Sequence, residues 1–342
     1  MAITRMKAVS FLEKKTSLPL LDIRSPGEYE KGHIPGANSF PLFTNEERAI
    51  IGTLYKNEGK HVAVKRGLQI VGPKLAEFVN QAEKFQSDKL TMYCWRGGMR
   101  SDSMAWLLDK AGFDILLLEG GYKAFRNGLM EYFRRPLPLI VLTGYTGSKK
   151  TALLHMLREQ GEQIIDLEGL ASHQGSSFGN QKTNGQPTSE QFQNLIYESC
   201  RHFDRSRPIW LEDECLRIGN VTLIDDLYRQ MNDAPRIFLE VPMEERIEFL
   251  VQDYGQLPEE KLIEGTLGIR KKLGSEKTEE AITSIRDGDL HKAVQIILSY
   301  YDRYYLKSIS KKESTIIRRI VSSMKSLPEV AVQLSQTIHH AI

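Results

Sequence analysis

The chain has 342 residues, 41% of them hydrophobic and 26% charged, with a formal net charge of +2. That composition supplies two packed cores and excludes a disordered chain or a repeat array, while a charge so close to neutral does not by itself identify a nucleic-acid partner. The longest apolar stretch near the middle, Leu137 to Leu142, is too short to span a bilayer. Met1 to Lys7 is not followed by the apolar run of a signal peptide, so a cytoplasmic location is expected.

In chain order, Leu18 to Ile23 and Lys89 to Tyr93 read as buried strands, and Ser101 to Ala111 as a helix with Met104, Leu107, Leu108 and Ala111 on one side. Ile115 to Leu118 is a further strand, ended by Gly120 and Gly121. Arg134-Arg135-Pro136-Leu137-Pro138 interrupts this alternation, which places a boundary between a domain of residues 1–135 and one of 136–342. The cycle then restarts with strand Leu139 to Thr143, helix Thr151 to Gln160, and strands Gln163 to Leu167, Pro208 to Leu211 and Arg236 to Val241. Ser172 to Ser189 reads as a loop, and the chain after Pro242 as mostly helical. Strand and helix alternating in this way predict an α/β protein with two parallel sheets and a helical C-terminal region.

The three cysteines, Cys94, Cys200 and Cys215, form no Cys-x-x-Cys pair, which argues against a structural zinc site and leaves thiols. Cys94-Trp95-Arg96-Gly97-Gly98-Met99-Arg100-Ser101 lies between a strand end and a helix start. There, consecutive backbone N–H groups and the helix dipole favour an anion. Gly97 and Gly98 let the backbone curl, Arg96 and Arg100 add cationic donors, and Ser101 opens the helix. The thiol of Cys94 is therefore expected to ionise readily.

Gly144-Tyr145-Thr146-Gly147-Ser148-Lys149-Lys150-Thr151 follows an apolar strand and precedes a helix, the context of a phosphate-binding P-loop. Lys150 would reach phosphate oxygens and Thr151 could bind Mg²⁺. Lys149 stands where the pattern has glycine, and would narrow the phosphate's approach or add a second cation. Asp213, within Glu212-Asp213-Glu214, is the candidate carboxylate on the Mg²⁺ side. Near the end, Lys311, Lys312, Arg318 and Arg319 belong to a basic run expected on helices, either as a solvated face or as phosphate contacts.

Leu21-Asp22-Ile23-Arg24-Ser25-Pro26, with Glu28-Tyr29 and Gly32-His33-Ile34-Pro35-Gly36-Ala37, resembles the opening motif of rhodanese domains. Glu119-Gly120-Gly121-Tyr122-Lys123-Ala124-Phe125-Arg126 resembles their closing motif. The resemblance implies that Cys94 carries sulfur as a persulfide. The common rhodanese loop has arginine five positions after cysteine; here Arg100 is six after Cys94, a spacing similar to that of phosphatase loops and suited to a phosphate-sized oxyanion.

A rhodanese-like domain followed by a P-loop domain resembles the tRNA 2-selenouridine synthases. Further segments that match are Asp166-Leu167-Glu168-Gly169-Leu170-Ala171, Gly175 to Gly179 and Leu211 to Glu214. The resemblance implies a tRNA with wobble 2-thiouridine as substrate, replacement of sulfur by selenium, and selenophosphate and geranyl diphosphate as co-substrates, with no tightly bound cofactor. A selenophosphate-producing enzyme becomes a candidate partner. Two other readings stay open: a sulfurtransferase with a nucleotide-binding regulatory domain, and a phosphatase-like enzyme, although the loop offers no general acid.

Overall fold

In a computed structural model of the chain, the structure describes residues 3–7, 18–173, 185–310 and 312–337. Two compact units divide between Tyr132 and Phe133, close to the proline-rich break.

The first unit contains strands β1 (Ile3–Met6), β2 (Leu20–Asp22), β3 (Asn38–Ser39), β4 (Lys89–Tyr93) and β5 (Asp114–Leu118). They pair in the order β1-β5-β4-β2-β3, every pair parallel. Helices α1 (Pro26–Lys31), α2 (Asn45–Asn57), α3 (Lys60–Val71), α4 (Leu75–Glu83), α5 (Met99–Lys110) and α6 (Gly121–Arg134) connect them. Leu21, Leu90, Met92, Met104, Leu108, Ile115 and Leu117 form a core from which water is excluded. Strand β4 is buried on both faces, as a central parallel strand must be, and delivers Cys94 at its C-terminal end.

The second unit contains β6 (Leu139–Gly144), β7 (Gln163–Ile165), β8 (Ile209–Glu212), β9 (Arg217–Ile218), β10 (Val221–Thr222), β11 (Arg236–Glu240) and β12 (Ile316–Val321). Five of them form a parallel sheet, β12-β11-β6-β8-β7, and β9 pairs with β10 antiparallel. The helices are α7 (Lys150–Glu159), α8 (Leu167–Leu170), α9 (Ser189–Cys200), α10 (Asp225–Asp233), α11 (Met243–Tyr254), α12 (Glu259–Gly268), α13 (Arg270–Leu273), α14 (Ser275–Arg286), α15 (Leu290–Ser310) and α16 (Leu327–Thr337). Ile140, Leu142, Leu153, Trp210 and Leu239 centre its main core; Leu262, Leu273, Ile285 and Ile297 build a separate core among the helices after β11.

Two sequence expectations need correction. The strand starting at Gln163 stops at Ile165, because the Asp166 side chain accepts a hydrogen bond from the Gly169 N–H at 2.7 Å and caps α8. The C-terminal region is mostly helical, as its sequence predicts, but Arg318 and Arg319 do not lie on its helices. Ile316-Ile317-Arg318-Arg319-Ile320-Val321 is rich in β-branched residues and forms β12, which extends the sheet beside β11. Of the stretch read as a loop, residues 174–184 lie outside the described residues, as does Lys311.

Candidate active site: a cysteine loop and a phosphate loop

The turn after β4 wraps its own polar groups around the Cys94 sulfur. The Gly98 N–H points at Sγ from 3.4 Å, and the Ser101 hydroxyl lies 3.2 Å from it. Burial alone would raise the thiol pKa. The hydrogen bonds of Ser101 and Gly98, with the charge of Arg100, outweigh it and leave the thiol more acidic than an ordinary cysteine. Cys215 goes the other way, raised by burial and by Glu214 and Asp213. Cys200 is buried and donates to the Ile196 carbonyl at 3.1 Å. Of the three thiols, Cys94 is the one prepared for nucleophilic work.

The two rhodanese-like motifs brace this loop. Asp22 and Arg24 form a buried ion pair; the Arg24 guanidinium also donates to the Gly32 carbonyl at 2.7 Å and lies 3.9 Å from the Tyr122 ring centroid. Tyr93 donates to Asp22 at 2.8 Å. From the closing motif, the N–H groups of Tyr122 and Lys123 donate to the carbonyls of Cys94 and Trp95, each at 2.9 Å. Gly121 has φ +59°, and a Cβ there would sit 2.2 Å from the Cys94 carbonyl oxygen. Only glycine permits this approach.

Glu28, a member of the opening motif to which the sequence alone assigns no role, accepts a hydrogen bond from Arg100 at 2.7 Å. Burial would raise its carboxyl, but Arg100 holds it below the usual carboxylate range. Arg100 is thereby aimed by α1, whereas Arg96 is exposed. Beside the loop opens a cavity of about 600 Å³. Its walls join Cys94, Arg96 and Arg100 to apolar side chains of α2 and α3, among them Ile51, Val64 and Leu68. Tyr55, Leu68, Trp95 and Met99 also line it and remain exposed although large and apolar.

In the second unit, β6 aims the phosphate loop at the C-terminal edge of the sheet. Gly147 has φ +81°, and a Cβ on Gly144 would meet the Leu239 carbonyl at 2.4 Å. Ser148 is buried and donates to the Tyr145 carbonyl at 2.8 Å. Lys149 takes φ +57°, the conformation that explains the usual glycine, and its Nζ lies 4.7 Å from the Phe249 ring centroid. Its charge thus rests on α11. Lys150 donates to the carbonyls of Gly144 and Tyr145 at 2.9 and 3.3 Å. Two braces escaped sequence reading. The buried Arg246 donates to the Thr146 carbonyl at 3.1 Å and pairs with both Asp302 oxygens at 3.0 and 2.8 Å. Tyr305, from α15, lies 2.9 Å from the Thr143 hydroxyl.

The carboxylate facing Thr151 is not Asp213. Thr151 donates to Glu168 at 3.1 Å, while Asp213 accepts from Thr143 at 2.9 Å and pairs with Lys312 at 3.1 Å. Successive side chains at a strand end alternate in direction, so Glu212 and Asp213 part. Glu212 is completely buried, and burial, then Glu168 and Asp166, push its carboxyl up to about 8. Glu214 is likewise raised, by burial and by Glu168 and Glu212. One Glu212 oxygen has no hydrogen-bond partner. Among the described residues no group of His, Cys, Asp or Glu side chains is arranged to hold a metal ion alone. Mg²⁺ fits Thr151 and these carboxylates only as it usually binds, with phosphate oxygens completing the shell.

Lys312, Arg318 and Arg319 lie outside the helices. Lys312 is engaged with Asp213. Arg318 and Arg319 lie on β12; Arg318 donates to the Thr337 hydroxyl of α16 at 3.1 Å, and Arg319 to Glu313 at 2.7 Å. No helix among the described residues is long and apolar enough to cross a membrane.

Comparison with known proteins agrees with both halves of this architecture. Residues 7–128 match the rhodanese-like domain family, and residues 137–336 match the family described as tRNA 2-selenouridine synthase AAA domain. The tRNA 2-selenouridine synthase of Psychromonas ingrahamii is 31% identical over 87% of this chain and 90% of its own length. That of Shewanella pealeana is 34% identical over 87% of this chain and 91% of its own. That of a Sulfurovum species is 39% identical over 78% and 74%. Two domains matched in order, and relatives matched across both of them, place this chain in the tRNA 2-selenouridine synthase family.

Proposed function

We propose that the chain replaces sulfur by selenium in wobble 2-thiouridine of tRNA, taking selenium from selenophosphate and passing through an S-geranyl intermediate made from geranyl diphosphate. Membership of the family makes it a tRNA-modifying transferase. The two loops support the finer chemistry. A thiocarbonyl sulfur leaves poorly, and alkylation converts it into a thiol that leaves readily. Geranylation therefore precedes selenium attack at C2.

The observation that carries this reading is the cavity beside Cys94. A carrier of bare sulfur has no use for about 600 Å³ of largely apolar space at its nucleophile. A geranyl chain does, since each buried methylene contributes about 0.8 kcal/mol. The chain of the alkylated base would lie along Ile51, Val64 and Leu68, with Trp95 and Tyr55 available to stack on the splayed base. Arg96 and Arg100 would take the phosphate part of the selenium donor.

In the second unit the phosphate loop would hold the diphosphate of the prenyl donor, with Lys150 neutralising the departing charge. If Mg²⁺ takes part, Thr151 and Glu168 or Glu212 would hold it, and it would supply further neutralisation of the diphosphate. Beside Thr146 lies an apolar cavity of about 50 Å³, lined by Leu250, Val251, Tyr254 and Leu298. It is smaller than the cavity of about 150 Å³ that admits benzene, so it would take no more than a terminal methyl group of a prenyl chain. Mass analysis of tRNA nucleosides after incubation with both donors tests the proposal. S-geranyl-2-thiouridine followed by 2-selenouridine is expected. Selenation without geranyl diphosphate and without a geranylated species would refute the intermediate, and sulfur transfer to cyanide alone would support the sulfurtransferase.

A further inference from the structure

We infer that Cys94 attacks the phosphorus of the selenium donor, forming a transient phosphocysteine and releasing hydroselenide beside the base, rather than accepting selenium itself. The inference rests on the proposed reading that the donor is selenophosphate.

Electron counting separates the two routes. Selenium in selenophosphate is already at the oxidation level of selenide. A perselenide on Cys94 would oxidise both sulfur and selenium, so phosphorus would have to depart with the P–Se electron pair as a reduced species, or an outside oxidant would be required. Attack at phosphorus requires neither. The S–P bond forms as the P–Se bond breaks, its electron pair goes to selenium, and hydroselenide leaves. Water then attacks phosphorus, the Cys94 thiolate departs, and phosphate is released. Hydroselenide adds at C2 of the geranylated base. The C2–S pair leaves with the geranyl thiolate, which takes up a proton, and selenium gives its proton to the ring as C=Se forms.

The loop is built for the tetrahedral anion of this step. It is one residue longer than the common rhodanese loop, with Arg100 six positions after Cys94 and Ser101 next. Among the described residues the N–H groups of Trp95, Arg96, Gly97, Met99 and Arg100 have no acceptor, while that of Gly98 is turned to the sulfur. These N–H groups are unpaired donors of the loop, and Arg100, held in place by Glu28 at 2.7 Å, adds a cation for phosphoryl oxygens. Ser101, 3.2 Å from Sγ, can donate to the thiolate as it departs in the hydrolytic step. Nothing between Trp95 and Ser101 is a general acid, which handicaps expulsion of an alkoxide. Hydroselenide is a weak base and leaves without one, so the same loop that suits a phosphomonoesterase poorly suits a selenophosphate well.

The test loads the full-length protein with selenophosphate labelled with radiophosphorus, without tRNA, and quenches it on the millisecond to second scale. Radiophosphorus on Cys94 and release of hydroselenide in equal amount are expected, with no label on Cys94→Ala. In a chase with unlabelled donor, Ser101→Ala should slow loss of the label about tenfold, the worth of one hydrogen bond to a charged group. Selenium on Cys94 with phosphorus free in solution would overturn the inference. So would tRNA selenation by a protein that never carries phosphorus, a result that leaves the proposed function intact. Phosphorus loading by a protein unable to selenate tRNA would sink the proposed function and leave this inference standing.

Discussion

Glu212 should make the second unit lose stability as pH rises. Its side chain is completely buried, and its carboxyl titrates at about 8 in the folded chain. In the unfolded chain it titrates near the ordinary value of about 4.3. The folded state therefore holds the proton more tightly. The stabilisation is full below the unfolded value and is lost as pH rises toward about 8. Between the two values the slope approaches about 1.4 kcal/mol per pH unit, so two units remove roughly 3 kcal/mol. For a unit of this size that is a fall of about 6–12 °C in Tm. Glu212→Gln keeps the shape and removes the proton. Calorimetry of both proteins from about pH 5.5 to 7.5 should show the variant's melting temperature much less dependent on pH, and the higher of the two at the alkaline end. Glu214 leaves a residual slope in the variant, so the difference between the curves is the quantity read. Parallel curves would mean that Glu212 is ionised in the folded chain and that the burial argument is wrong.

Cys94→Ala should abolish selenium incorporation, while Cys200→Ala and Cys215→Ala retain most of it, measured as 2-selenouridine in digested tRNA. Gly121→Ala should destabilise the first unit by roughly 3 kcal/mol or more, because the added methyl has a backbone carbonyl 2.2 Å away; thermal melting with an unaltered second transition would show it. Replacing Arg318 and Arg319 by alanine should weaken tRNA binding and lower its salt slope by about two units, if both contact phosphates. Lys312→Ala should instead lower stability modestly, since Asp213 loses its nearer cation and keeps Arg236 at 3.7 Å and the Thr143 hydroxyl at 2.9 Å, and an unchanged salt slope in the arginine variant would return those side chains to a purely intramolecular role.

The Cys94 loop was legible because everything that defines it lies in one continuous run. Nucleophile, glycines, arginine and serine sit within eight residues, and the flanking strand and helix fix which way they face. The phosphate loop was readable for the same reason. Glu28, Glu168, Arg246 and Tyr305 were not, because each reaches its site through a crossover of the sheet from a distant segment. Arg246 and the Thr146 carbonyl it braces are 100 positions apart. Choosing among Glu212, Asp213 and Glu214 required the face on which β8 ends, which adjacent carboxylates do not reveal. Strand β12 carries a usable signal in its isoleucines and valine, but it follows the long helix α15 and its two arginines suit a basic helical surface equally well.

The most direct measurement assays the two half-reactions separately on Lys150→Ala and Cys94→Ala. Lys150→Ala should fail to geranylate 2-thiouridine in tRNA yet selenate tRNA supplied already geranylated, and Cys94→Ala should do the reverse. Loss of selenation with geranylation intact in Lys150→Ala would contradict the division of labour between the two loops, and a strict ATP requirement in either half-reaction would assign the phosphate loop to a nucleotide.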